Sequence, residues 1–140
     1  PFNQFTADVA NGVHNLGSHT LKVMLTATAP TASNTVKANI AEIAGGNGYT
    51  AGGQTITITS SSQTAGIYAL VAGANVSWTA AGGDITPFRY LVLYNDTPTS
   101  PVDPLIGWLD YGSTVTVKDG EDFAFAINGL TLIGGESESV

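Results

Sequence analysis

The sequence predicts an all-β protein, a single-domain β-sandwich of jelly-roll-like closure with a short N-terminal helix or arm. Three observations carry that expectation. Short apolar segments recur from His19 onward, and turn residues separate them at roughly the 8–12 residue spacing of sandwiches and barrels. The best of these segments alternate with period two and are rich in β-branched residues. No internal repeat or shift in composition divides the 140 residues. A chain of this length buries roughly two-thirds of its unfolded surface, enough for one core without staples.

Element by element, Phe2 to Leu16 is the only strong helix candidate. Phe5, Val9, Val13 and Leu16 recur at helical spacing, Thr6 is placed to cap, and Gly17 to terminate. Gly12 interrupts that pattern. The segment 1–17 reads either as a helix covering a sheet edge or as an exposed binding arm. Leu21, Val23 and Leu25 alternate with Lys22, Met24 and Thr26, as in a half-buried strand. A loop over 29–35 follows, then one or two helical turns within Val36–Ala44, then a glycine-rich loop over Gly45–Gly53 whose one large side chain is Tyr49.

Strand signals fill the rest. Ile56 and Ile58 alternate with Thr55, Thr57 and Thr59; Ile67–Ala72 and Asn75–Ala80 come next, the latter with Trp78. Phe88–Tyr94 (FRYLVLY) is apolar on both faces and predicts a central strand. Leu105–Tyr111, Thr114–Val117 and Phe123–Ile127 follow, with Asp119-Gly120 as a hairpin signal. Leu130–Ile133 closes the series, and the Glu/Ser-rich stretch 134–140 reads as a flexible tail.

Composition narrows function. Charged residues are only 11% of the chain, against roughly 25% in ordinary soluble domains, while Gly numbers 17 and Thr 18. A surface of Thr, Ser, Asn, Gly and Ala has few ions to dehydrate when another protein covers it. The net charge is −7, and the four basic residues Lys22, Lys37, Arg89 and Lys118 are scattered. That argues against nucleic acid, which needs clustered cations, and against anionic membranes. No apolar run is long enough to span a bilayer. A charged n-region followed by an apolar stretch is missing from the start of the chain, and Pro1 fits removal of an initiator Met. With no cysteine, disulfides, thiolate metal sites and cysteine nucleophiles are excluded.

The search for chemistry yields no catalytic constellation, so no enzyme is expected, and neither cofactor nor metal. His14 and His19 are the only histidines; their five-residue spacing does not share a helix face, and no nucleophile elbow accompanies Ser18. The carboxylates of Asp119, Glu121 and Asp122 lack the alternating spacing of a calcium loop. GGNGYTAGG has no Lys-Ser/Thr and no strand–helix context, so it is no phosphate cradle. Trp78, Tyr90, Tyr94, Trp108 and Tyr111 offer either an aromatic platform for sugar or ordinary packing.

Four segments, FNQFTADVANGVHNLGSHTLKV, AEIAGGNGYTAGG, FRYLVLYNDT and DPLIGWLDYGSTVTVKDGEDF, resemble short proteins encoded among the virion genes of tailed bacteriophages. The resemblance runs from Phe2 to about Leu132 and points to capsid decoration (cement) proteins. It implies a virion structural protein on the outer capsid surface, made in the host cytoplasm. Such a protein binds the major capsid protein and often self-associates, here as a dimer or trimer. Other readings are a tail, neck or fibre-associated β-protein and a carbohydrate-binding module. For partner contacts the sequence offers Phe2, Asn3 and Phe5 at the N-terminal end, aromatics being frequent anchors at interfaces, and Tyr49 in the glycine loop.

Overall fold

The computed structural model describes residues 1–127 and, for the backbone alone, 129–133. Among the described residues one short helix, α1 (Asn3–Ala10), precedes nine strands. These are β1 (Leu21–Thr26), β2 (Gln54–Thr55), β3 (Ile58–Thr64), β4 (Ile67–Ala72), β5 (Val76–Thr79), β6 (Phe88–Asn95), β7 (Leu105–Val115), β8 (Asp122–Phe125) and β9 (Gly129–Ile133). The fold is all-β with a short N-terminal helix. Its strands form three antiparallel sheets, ordered β2-β1-β6-β7, β3-β4-β9 and β5-β8. The neighbours β1–β6, β4–β9 and β5–β8 are far apart in sequence, which is the non-local pairing expected of a closed β architecture.

The apolar run of β6 does mark a central strand, lying between β1 and β7. Its two faces feed two apolar clusters. Leu21, Val23 and Leu25 join Leu91, Ile106, Trp78, Ile85 and Phe88 in the main core, to which the other sheets contribute Leu70, Val76 and Phe123. The alternate residues Met24, Val92, Tyr94 and Leu105 form a second, smaller cluster. Met24 and Val92 are direct cross-strand partners, and both are fully buried. The half-buried reading of β1 therefore fails at Met24 and Thr26: both faces of this strand are covered. The alternation of Leu21, Val23 and Leu25 identifies the main-core face but carries no signal for what closes the other.

The closure comes from the N-terminus. Phe2 is 1% exposed, stacks on Trp108 at 4.6 Å between ring centres, and donates its N–H to the Ile106 carbonyl of β7 at 3.2 Å. The helix candidate ends earlier than its periodicity suggests. Gly12 takes a left-handed φ of 77° and stops α1 after Ala10, with the Asn11 N–H bonded to the Ala7 carbonyl. Thr6 is inside the helix and Gly17 lies beyond it; Phe2 stands at the N-cap without a side-chain cap. His14 is consequently off the helix, and Leu16 reaches the main core after the turn.

Other elements differ in detail. Helical turns within Val36–Ala44 shrink to one 3₁₀ turn, Lys37–Asn39. The Ile56/Ile58 strand is broken, with Gln54–Thr55 pairing to β1 and Ile58 onward to β4. Leu105–Val115 is one strand rather than two, with a register break opposite Phe88 and Tyr90. Asp119-Gly120 is a turn, but not a β-hairpin, because β8 pairs with β5. The stretch 134–140 lies outside the described residues.

Candidate functional site

The proposed contact residues separate cleanly by burial. Asn3 is exposed, while Phe2, Phe5 and Tyr49 are 1%, 7% and 2% exposed. The three aromatics are therefore corrected as contact residues: in the folded chain they are core side chains. Phe5 packs against the His14 ring at 5.2 Å between centres. An N-terminal segment that supplies the lid of an apolar cluster gains more from folding back than from standing free, because each buried Phe withdraws its ring from water.

Tyr49 is a rivet. Its hydroxyl donates to Glu42 Oε2 at 2.6 Å and accepts from the Leu25 N–H of β1 at 3.1 Å. Glu42 Oε2 also accepts from the Gly52 N–H at 2.6 Å, and Oε1 from Lys37 Nζ at 3.0 Å. Tyr94 completes the arrangement by donating to the Gly52 carbonyl at 2.6 Å. Both the N–H and the carbonyl of Gly52 are thus held. The glycine loop is pinned to the sheet, while Gly45, Gly46, Asn47, Gly48, Thr50 and Ala51 remain exposed. Burial and the Glu42 contact push the Tyr49 hydroxyl's pKa well above its ordinary value; burial does the same for Tyr94.

Burial opposes ionisation of Glu42, but the hydrogen bonds from Tyr49, Gly52 and Lys37 outweigh it, so its pKa lies below the ordinary value. A depressed carboxylate pKa contributes stability above the unfolded value, about 4.3, and loses it as pH falls toward the folded value. Denaturant midpoints measured from pH 6 downward should therefore fall through the carboxylate range, and the fall should be shallower in Glu42→Gln.

A second polar node joins residues that sequence spacing kept apart. The Asn95 amide, itself buried, donates to His14 Nδ1 at 3.0 Å and to His19 Nδ1 at 2.9 Å, while its carbonyl accepts from the Thr97 N–H at 3.1 Å. This arrangement needs both imidazoles neutral at Nδ1. His14 has its pKa lowered by burial, against the opposing charge of Asp8, with a smaller lowering from His19. The node ties the 14–19 turn to the end of β6.

Among the described residues no three His, Cys, Asp or Glu side chains group to hold a metal. A cleft of about 350 Å³ is lined by Gln4, Asp8, Thr35, Val36 and Pro101. Each of the four cations sits within ion-pair distance of an acid: Lys22–Asp96, Lys37–Glu42, Arg89–Asp110 and Lys118–Asp84. Of the aromatic set, Trp78 and Tyr94 are buried, Tyr90 and Trp108 are half-buried, and Tyr111 is exposed. No described helix is long and apolar enough to cross a membrane.

One of the three sheets is free of charge. Strands β3 (ITSSSQT), β4 (IYALVA) and β9 (GLTLI) contain no Asp, Glu, Lys, Arg or His. Thr59–Thr64 are exposed throughout, and Ile67 and Val71 of β4 are 43% and 40% exposed. Sequence reasoning took these strands as sandwich strands and missed the face, although the charge gap itself is visible in the residues. No family model matches the chain, and comparisons with curated proteins and with solved structures find no match.

Proposed function

We propose that this chain is a capsid decoration protein of a tailed bacteriophage, acting by adhesion to the major capsid protein lattice. The long segments quoted above support the virion assignment. The observations that carry the adhesive mode are the charge-free strands β3, β4 and β9 and the riveted, uncharged glycine loop. Both can be covered by a partner without stripping water from ions. Because Tyr49, Glu42 and Tyr94 fix the loop in advance, little ordering entropy is lost on contact.

A shell protein that bridges neighbouring capsid subunits adds its own contacts to those that must break before the subunits part. Moderate affinity per copy suffices, since many sites act together. Preference for the expanded lattice stabilises that state by mass action. The test is co-sedimentation of the purified chain with expanded and unexpanded heads lacking it. Saturable binding to expanded heads and greater resistance to heat or chelator are the expected results. Retention by neither form, under conditions where the chain is folded, refutes the reading.

A further inference from the structure

We infer that the free edge of β3 is a self-pairing surface, joining two copies of this chain through an antiparallel β3–β3 contact with a two-fold axis at Ser62. The inference concerns the chain alone and stands whether or not the shell reading does.

β3 is the edge strand of its sheet. Its hairpin with β4 turns through Ala65-Gly66, both with positive φ, so Thr64 and Ile67 form the hydrogen-bonded pair beside a two-residue turn. Counting back along the register, Ser62 and Ser60 direct their backbone groups toward Ala69 and Val71 of β4. Ser61 and Gln63 direct theirs away from it. Among the described residues nothing bonds the N–H or C=O of Ser61 or Gln63 on that side. Edge strands are ordinarily protected by charge, proline or cover. Here every residue from Thr59 to Thr64 is exposed, and none is charged or proline. The bulge at Thr59 ends the open stretch, leaving Ser60–Thr64 regular.

Charge selects the occupant. A chain of net charge −7 repels its own copies except where neither presents an acid. The strand is also compatible with itself. Pairing about Ser62 sets Ser61 opposite Gln63 of the other copy, twice, so that the outward N–H and C=O groups of both residues are satisfied in both copies. Ser60 then faces Thr64, and Ser62 faces its own equivalent. All of these cross-strand pairs are small or neutral. The two three-stranded sheets become one, and the exposed Ile67 and Val71 of each copy lie on its continuous surface.

The register makes the inference testable in a chain without cysteine. Across a non-hydrogen-bonded antiparallel pair the Cα atoms lie about 4.5 Å apart, within the roughly 4.4–6.8 Å that a disulfide spans. Ser62→Cys should therefore form an intermolecular disulfide under mild oxidation, whereas Ser60→Cys, which faces Thr64, should not. Ser61→Pro removes an outward N–H without touching the β4 ladder and should abolish dimer at about 100 μM, where a weak strand dimer is otherwise populated. Its thermal unfolding confirms that the hairpin is intact. Cross-linking of Ser62→Cys no faster than that of Ser60→Cys overturns the inference. So does a monomeric wild type whose Ser61 and Gln63 amides resist hydrogen exchange, because another segment then occupies the edge.

Discussion

Gly53→Ala is expected to destabilise the protein by on the order of 3 kcal/mol or more. Gly53 has φ 83°, a left-handed value that costs other residues about 1–2 kcal/mol. A Cβ there would also run into the Val23 carbonyl of β1, which is backbone and cannot rotate away. Relieving the collision means lifting the loop from the strand, a further roughly 1–3 kcal/mol of overpacking. Gly45→Ala is the internal control. Its Cβ would meet only ordinary contacts at 3.5 Å and beyond, on an exposed residue, so its change should stay within about 0.5 kcal/mol. Urea midpoints of the two variants, with equal slopes, decide the matter. Equal stability of the two would mean that the loop is not seated on β1.

Tyr49→Phe should cost about 3 kcal/mol while leaving the packing volume nearly unchanged. The lost hydroxyl leaves the buried Leu25 N–H without an acceptor, a penalty of roughly 1–3 kcal/mol, and removes a hydrogen bond to a carboxylate, roughly another 1.5–3. The two terms overlap, because Leu25 and Glu42 bond to one oxygen. A Tyr49→Phe/Glu42→Gln double variant should lose less than the sum of the single losses, since both act on one network. Strict additivity in that cycle would contradict the rivet.

Strand identity was legible in the sequence wherever residue pattern and environment coincide. FRYLVLY announced a central strand, and the Val76/Trp78 alternation survives as buried positions against exposed Ser77 and Thr79. What the residues did not show was which distant segment covers a given face. The second face of β1 and β6 is closed by Phe2, well before β1 in the chain, and local periodicity carries no trace of such a contact. Aromatics at a chain end and in a glycine loop thus looked like exposed anchors when they were lids and rivets. Likewise, the helical reading of Phe2–Leu16 set His14 on a helix apart from His19, whereas Gly12 ends the helix before either residue. The proposed contact surface was hidden for the opposite reason: β3 is recognisable by its Ser and Thr residues, but only the topology shows that its edge is open.

Imaging of intact phage particles is the most direct test of adhesion through surfaces that carry no ions. If the chain works this way, it is seen in many copies on the outer shell, its β3 edges or glycine loops at the contacts between capsid subunits. Particles whose shells are complete without it, with the chain confined to the tail or absent, would contradict the account.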